Sequence, residues 1–301
     1  MAVKAAAGGT IKISTKVEET VLDSFGLKEQ PFASSPNPRY LYVSDHHKAV
    51  LGKTIYGITG RQGLLSITGG FGEGKTTIAR HLLAMFMDEP EGYTIRYLVN
   101  PKFSTDVQLL RAICAEFGVE MKRSKQEQLA ALLEYLTEQY TQNKNVILLL
   151  DEAQLLIGAQ FELIKQMLNF ETSTEKLIQV VLFATHDIWL KLAHKKQVLS
   201  RIYVKSMLDS FGEKELRDMI AFRTSVAGSK RDLLTDGAYD ELYRYSQGSP
   251  RTALKACYNA LPIAYFSKSD EITIEHIMEA ERELREEEAR KIKEEEVRKD
   301  G

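Results

Sequence analysis

The chain has 301 residues, of which 44% are hydrophobic, and its formal net charge is −2. That length is enough for one large α/β domain with a smaller one, and a nearly neutral chain excludes a polyanion binder over its whole surface. The two cysteines both lie in apolar helical stretches, which excludes a disulfide framework and a zinc-ligand spacing and favours buried reduced thiols.

The first predicted elements are a loose N-terminal segment, a proline-punctuated stretch and a helix. We expect residues 1–20 to be flexible, and residues 25–40 to pack without regular helix over the domain that follows. Residues 44–58 read as a helix that ends near Gly60. The sequence contains neither a convincing signal peptide nor an apolar run of membrane-spanning length, so we expect a cytoplasmic protein.

A glycine-rich loop lies between a predicted strand and a predicted helix. Residues 64–68 are an apolar run typical of a buried strand, and residues 77–86 have apolar side chains at helical spacing. The residues between them fit G-x-x-x-x-G-K-[ST], a loop whose backbone N–H groups wrap a polyphosphate at a helix N-terminus. The alternative is a tight turn that binds nothing. The residues expected to contact ATP are Gly69, Gly70, Phe71, Gly72, Glu73, Gly74, Lys75, Thr76 and Thr77.

A second apolar run, residues 145–150, ends in two carboxylates. Such a run is typical of a buried parallel strand, whose C-terminal edge is also where the glycine-rich loop lies. We expect Asp151 and Thr76 to hold Mg²⁺, Glu152 to act as the general base toward water, and Lys75 to reach the β- and γ-phosphates. Alone, Asp151 and Glu152 would be read as the N-cap of a helix; together with the loop they predict Mg-ATP binding.

The remaining elements predict an α/β domain followed by a helical one. Strands at 94–99 and 177–184 alternate with helices at 105–117, 126–140 and 159–170, which indicates a parallel doubly wound sheet. After residue 211 there is no strand signal, and the predicted helices are 213–226, 236–246, 250–266 and one from 273 onward.

The shift from alternating strands and helices to helices alone indicates the domain organisation. We expect an α/β nucleotide-binding domain at 21–211, a small all-helical lid at 212–280 and a charged helical tail at 281–301. In the tail, Glu281 with Arg285 and Glu286 with Arg290 stand at the i,i+4 spacing that supports a solvated helix.

These features together resemble the AAA+ ATPases, and within them the ExeA-type secretion ATPases and their TnsC and TniB relatives in transposition. The resemblance covers roughly residues 22–280 and rests on Phe25-Gly26-Leu27, Pro31-Phe32, Pro36, Pro38, Tyr40, Gly69–Thr76, Asn100-Pro101, Asp151-Glu152-Ala153-Gln154 and Val180–Phe183. It implies an AAA+ P-loop fold with a C-terminal helical lid. ExeA-type secretion proteins usually continue into a membrane span and a peptidoglycan-binding region, which this sequence lacks.

The resemblance also implies three further catalytic residues. Thr185 matches the sensor-1 position, between the γ-phosphate and Glu152, and its alternative role is to cap a strand end. Arg201 matches the arginine finger that reaches a neighbouring subunit's γ-phosphate, and its alternative is a surface salt bridge. Arg251 matches sensor 2 at the start of a lid helix, where it could instead be an ordinary first-turn arginine.

The motifs for ATP hydrolysis do not show which process the hydrolysis drives. The first hypothesis is an ATPase that oligomerises with ATP and acts as a switch or assembly factor recruiting partner proteins, such as a secretion or pilus component. The second is a transposition regulator that forms ATP-dependent oligomers on duplex DNA and recruits a transposase. For that role Lys102, Lys122, Arg123 and Lys125 would contact phosphates without reading bases, or else be ordinary solvated charges. A metabolic P-loop kinase is the weakest reading, since the lid and the finger have no role in it.

Overall fold

The computed structural model describes residues 3–4, 10–11, 16–33 and 37–300. These residues form two compact units: one is Val43–Asp209, and the other joins the described residues up to Tyr42 with those from Ser210 onward. Most of the segment predicted to be flexible, residues 1–20, lies outside the described residues. Two short strands, β1 (Val3–Lys4) and β2 (Thr10–Ile11), pair antiparallel within it.

The unit Val43–Asp209 is built on a parallel sheet with helices between its strands. Its strands are β3 (Leu64–Thr68), β4 (Tyr93–Leu98), β5 (Asn145–Leu150), β6 (Ile178–Ala184) and β7 (Ile202–Met207). Its α-helices are α2 (Asp45–Thr59), α3 (Lys75–Met87), α4 (Asp106–Glu116), α5 (Lys125–Thr141), α6 (Gly158–Met167), α7 (Ile188–Ala193) and α8 (Lys196–Leu199). In the described chain the strands stand in the order β4-β5-β6-β3-β7, and every pair is parallel. The predicted parallel doubly wound sheet is confirmed.

The three central strands are buried throughout and mostly apolar, because helices cover both faces of the sheet. Every residue of β3, β5 and β6 is buried, as expected for continuous hydrophobic runs in a parallel sheet. The first of them covers the same residues, 64–68, as the predicted strand. The helices begin where polar side chains cap them: the hydroxyls of Ser44, Thr105 and Ser124 each accept a hydrogen bond from the N–H three residues later.

The edge strand β7 is an element that the sequence analysis missed. Only Ile202 and Ser206 of its residues are buried, while Tyr203, Lys205 and Met207 are exposed. A register shift between Leu64 and Leu65 of β3 further breaks its alternation. Its hydrophobic pattern is therefore weak, since one side of this strand has no neighbouring strand in the described chain.

The second unit is helical, with α1 (Val17–Ser24), α9 (Glu213–Val226), α10 (Asp236–Ser246), α11 (Pro250–Phe266) and α12 (Ile274–Asp300), and a 3₁₀ turn at Pro38–Tyr40. Helices α9, α10 and α11 have the predicted bounds. The helix α12 runs without interruption through residue 281, the predicted start of the tail. Within it Glu281 is buried and pairs with Arg285 at 2.5 Å and with Arg244 at 3.2 Å.

The described residues of the proline-punctuated stretch, 25–33 and 37–40, pack into the core of this helical unit, whereas the prediction placed them over the sheet domain. Phe25, Leu27 and Phe32 are each at most 3% exposed and belong to one core with residues of α9, α10 and α11. Each such side chain contributes about 1.5–3 kcal/mol by leaving water. The guanidinium of Arg223 fixes the stretch by donating to the carbonyls of Pro31, Ala33 and Tyr40 at 2.7, 3.1 and 3.0 Å.

Among the described residues, no helix is both long enough and apolar enough to cross a bilayer.

Candidate nucleotide-binding site

The glycine-rich loop joins the end of β3 to the start of α3. Gly74 is the N-cap of α3 with a φ of 90°, a left-handed conformation that glycine adopts without strain. Lys75, the first residue of the helix, is 6% exposed. Its Nζ donates to the carbonyls of Gly69 and Gly70 at 3.0 and 2.6 Å. The lysine is therefore folded over the mouth of the loop, where an added phosphate would meet its charge.

An anionic group already contacts the backbone of this loop. The carboxylate of Glu73 accepts a hydrogen bond from the N–H of Gly70. A carboxylate in that position makes the kind of contact that a phosphate oxygen would make with the loop's N–H groups. The exposed ring of Phe71 lies 5.9 Å from Lys75 Nζ. The loop backbone thus donates to a carboxylate of its own chain, beside the ammonium of Lys75.

The two predicted Mg²⁺ ligands stand side by side. Thr76 Oγ1 donates to Asp151 Oδ2 at 2.8 Å, and Asp151 is 1% exposed. Mg²⁺ prefers hard oxygen ligands and is usually held by one or two protein groups together with phosphate and water. A hydroxyl and a carboxylate at the end of the phosphate loop fit that ion. The described residues contain no cluster of three or more His, Cys, Asp or Glu that could hold a metal alone.

Tyr97 on β4 is a site residue that the sequence analysis missed. Its hydroxyl donates to Asp151 Oδ2 at 2.6 Å. Burial, with the hydrogen bond and negative charge of Asp151, raises the pKa of this tyrosine above its usual range, so the hydroxyl remains a donor at neutral pH. Asp151 Oδ1 accepts from the N–H of Glu152 at 2.9 Å. The carboxylate that is expected to face Mg²⁺ is thus oriented through both of its oxygens.

The candidate general base is held at the turn after β5. Glu152 has a φ of 55°, a left-handed conformation that is uncommon for a residue with a side chain. Its Oε2 accepts a hydrogen bond from Nε2 of Gln154. The Oε1 atom of the same glutamine accepts from the N–H of Thr185 at 3.1 Å. Gln154 therefore bridges the ends of β5 and β6.

Thr185 directly follows β6 and is 4% exposed. Its Oγ1 lies 3.5 Å from Asp187 Oδ2. The carboxyl ends of parallel strands meet at one edge of a sheet, so this residue shares the edge with the phosphate loop and Glu152. The sensor-1 role remains a prediction, and the local hydrogen bond also fits the alternative of a strand-end cap.

Arg201 lies at the opposite end of the sheet. It immediately precedes β7, whose first residue, Ile202, is aligned with Leu64, the first residue of β3. The phosphate loop begins five residues further along β3, which at 3.3 Å per residue places it about 17 Å away. An arginine side chain does not span that distance. Arg201 also contributes to lowering the pKa of Glu171, after the larger effects of Lys176, which fits its alternative as a surface salt-bridge residue.

Arg251 lies in the helical unit, in the first turn of α11, and is exposed. The turn before it is tightly constrained: Gly248 has a φ of 76°, and a Cβ there would lie 2.1 Å from the carbonyl oxygen of Phe211. The first-turn position is the one predicted for it. Its sensor-2 role remains a prediction.

Two of the four residues predicted to contact nucleic acid are already paired. Lys122 Nζ lies 2.5 Å from Glu120, and Lys125 Nζ lies 2.6 Å from Asp106. The ion pair with Lys125 lowers the pKa of Asp106, chiefly through their hydrogen bond. Lys102 and Arg123 are exposed.

Comparison with known proteins identifies relatives in sequence. Residues 58–192 match the family described as AAA domain. General secretion pathway protein A of Aeromonas hydrophila is 35% identical over 254 residues, which cover 82% of this chain and 45% of that protein. The chain therefore spans less than half the length of this relative. The predicted resemblance to ExeA-type ATPases is confirmed.

Solved structures resemble the fold at lower sequence identity. The Aeropyrum pernix ORC2 protein has a TM-score of 0.62 and 20% identity, with 85% of this chain and 72% of that chain covered. A chain of Drosophila ORC bound to DNA has a TM-score of 0.65 and 16% identity, with 92% of this chain and 68% of that chain covered. The Thermotoga maritima RuvB Holliday junction branch migration motor has a TM-score of 0.54 and 18% identity, with 80% of this chain and 72% of that chain covered. At these identities the likeness concerns the fold alone.

Proposed function

We propose that this chain, which contains an AAA domain match and is similar to general secretion pathway protein A, binds Mg-ATP and hydrolyses it to ADP and phosphate. The observation that carries the proposal is the 2.8 Å contact between Thr76 and Asp151 beside the lysine of the phosphate loop. This contact joins the two sequence motifs at one edge of the sheet. The neighbouring carboxylate of Glu152, at the turn after β5, supports its proposed role as general base.

In this proposal each residue has a distinct role. The loop N–H groups and Lys75 bind the β- and γ-phosphates. Bound Mg²⁺ would neutralise phosphate charge, with Thr76 and Asp151 as its protein ligands. Glu152 takes a proton from the attacking water, and Thr185 orients that water at the end of β6. Arg251 would contact the nucleotide from the lid.

We further propose that the active form is an ATP-dependent oligomer, a ring or a filament. Phosphoryl transfer is accelerated by a cation that neutralises transition-state charge. The separation of about 17 Å between Arg201 and the phosphate loop of its own chain supports a role for this arginine in a neighbouring subunit. ATP would then stabilise the subunit interface, and the oligomer would serve as a switch that recruits protein partners.

The chemistry is tested with two variants and one control. Lys75→Ala should abolish nucleotide binding, because it removes the positive charge that contacts the phosphates. Glu152→Gln should keep ATP binding and lower turnover by about 100-fold or more, since general-base catalysis contributes about that much. Lys53→Ala changes an exposed lysine on α2 and should behave as the wild type in both assays. Wild-type turnover in Glu152→Gln would refute the assignment.

The shared site is tested by mixing inactive variants. Arg201→Ala should lower turnover while leaving ATP affinity nearly unchanged. Mixed with Glu152→Gln it should regain part of the activity, because some interfaces then combine an intact Glu152 with an intact Arg201. A monomer that hydrolyses ATP at full rate, with no complementation, would exclude action in trans.

The alternative function is ATP-dependent binding to duplex DNA. The pairing of Lys122 and Lys125 with carboxylates weakens this reading, because a DNA phosphate would have to displace those partners. If only Lys102 and Arg123 contact phosphates, the logarithm of the duplex affinity should fall by about 1.8 for each log unit of salt concentration, from about 0.9 per contacted phosphate. Lys102→Glu should flatten the slope without changing ATP binding. Failure of the ATP-bound protein to bind duplex DNA at low salt would leave the protein-partner reading.

A further inference from the structure

We propose that Gln154 is the positioning residue for the general base. Its side-chain amide holds the carboxylate of Glu152 against the end of β6. The proposal rests on the ATPase function proposed above, and it assigns a role to a residue of the Asp-Glu-Ala-Gln motif that the catalytic chemistry itself does not use.

The two ends of one amide make two different bonds. The NH₂ group donates to Glu152 Oε2, and the amide oxygen accepts from the backbone N–H of Thr185 at 3.1 Å. A glutamine has both a donor and an acceptor at its tip, so one side chain fixes the carboxylate relative to a neighbouring strand. One donor on Oε2 leaves Oε1 to take the proton of the attacking water.

The glutamine is itself anchored through its backbone. It lies in the 3₁₀ turn Ala153–Leu155, whose N–H of Leu155 donates to the carbonyl of Glu152 at 2.9 Å. The ammonium of Lys191 donates to the carbonyl of Gln154 and lies 3.4 Å from that of Leu156. The turn therefore has little freedom, and the amide position is determined by the fold rather than by Glu152 alone.

The base needs such support because of its own backbone. A left-handed residue other than glycine persists where its surroundings enforce it, and Glu152 has this conformation with a φ of 55°. It lies in the turn after β5, beyond the last residue that pairs with β4 and β6. A misplacement of about 1 Å in a reacting group can cost about 100-fold in rate. Holding the carboxylate is therefore a requirement for turnover, separate from nucleotide binding.

The proposal is tested with Gln154→Met, which keeps the length of the side chain and removes both hydrogen bonds. We expect kcat to fall by about 10–100-fold, while KM and ADP affinity change less than about twofold. Gln160→Met is the matched control, since this buried glutamine of α6 contacts Phe103 O at 2.8 Å and not the carboxylate. It should lower the unfolding temperature without a comparable loss of kcat.

A second variant separates positioning from stability. Gln154→Glu retains an acceptor for Thr185 but places a carboxylate where the donor to Glu152 stood, so it should lose kcat as strongly as Gln154→Met. In a Glu152→Gln background, adding Gln154→Met should have no further effect on single-turnover hydrolysis, because the residue acts through the base. Additive losses, or a kcat within about twofold of wild type in either Gln154 variant, would overturn the proposal.

The outcomes also distinguish this inference from the function on which it rests. If the wild type hydrolyses ATP and Glu152→Gln does not, but both Gln154 variants turn over normally, only the positioning role fails. If the wild type does not hydrolyse ATP, or Glu152→Gln is fully active, the proposed ATPase mechanism fails as well.

Discussion

Removal of one oxygen from Tyr97 should weaken both the fold and the Mg²⁺ site. Tyr97→Phe keeps the ring and deletes the hydroxyl that donates to Asp151 at 2.6 Å. A hydrogen bond to a charged group contributes about 1.5–3 kcal/mol, and Asp151 is almost completely buried, so water replaces the lost donor poorly. For a unit of this size each kcal/mol shifts the unfolding temperature by about 2–4 °C. A loss of about 2 kcal/mol therefore corresponds to a decrease of about 4–8 °C.

The same substitution should change metal dependence. With Tyr97 absent, one of the donors that orient the carboxylate is gone, and residues that orient metal ligands typically affect affinity by about 10–100-fold. Calorimetry of the nucleotide-free protein measures the first effect. A Mg²⁺ titration of ATP binding in the non-hydrolysing Glu152→Gln background measures the second.

The control is Tyr93→Phe on the same strand, because the described contact of Tyr93 is with the ring of Phe86, 4.7 Å between centroids. It should leave both measurements nearly unchanged. If Tyr97→Phe also unfolds within about 2 °C of the wild type and shows the same Mg²⁺ midpoint, this hydrogen bond does not hold Asp151, and the reasoning is refuted.

Three further predictions concern the rest of the chain. Arg223→Lys should destabilise the protein by about 2–5 kcal/mol in urea unfolding, because a lysine lacks the planar guanidinium that donates to three carbonyls at once. A change below about 0.5 kcal/mol would contradict this. Gly248→Ala should cost more than about 2 kcal/mol because its Cβ would meet Phe211, whereas Gly52→Ala, with open space in α2, should be neutral or stabilising. Burial raises the pKa of Cys114 to about 11, so below that pH the thiol stays protonated, and a disulfide reagent at pH 8 should modify it only after unfolding.

The sequence predicted those parts of the fold whose pattern is local. The buried central strands are mostly apolar, and β3 has the predicted bounds. Three helices of the C-terminal unit have them too, because each begins at a polar or glycine cap, Gly212, Thr235 or Ser249. The strand β7 was missed because an edge strand exposes half of its residues, and its charged and polar residues interrupt the apolar pattern.

The position of the segment before the sheet was not predictable in this way. Its aromatic residues indicate burial, but nothing in residues 25–40 specifies which surface buries them. The structure supplies the partner through Arg223, which stands 192 residues from Pro31 along the chain. Such a contact has no spacing rule, because both ends are single residues on elements that meet only in the folded unit.

The same limit applies inside the site and explains which functional residues sequence reasoning finds. The loop and the acidic turn each lie within a few consecutive residues, so their spacing reflects local backbone geometry. Tyr97 reaches Asp151 across 54 residues because β4 and β5 pair in register, with Tyr97 aligned with Leu149 and Leu98 with Leu150. A slip of one residue would turn the tyrosine to the other face of the sheet. The groups proposed to bind and react therefore lie in local motifs, whereas the groups proposed to orient them depend on strand register, as with Tyr97, or on an anchored turn, as with Gln154.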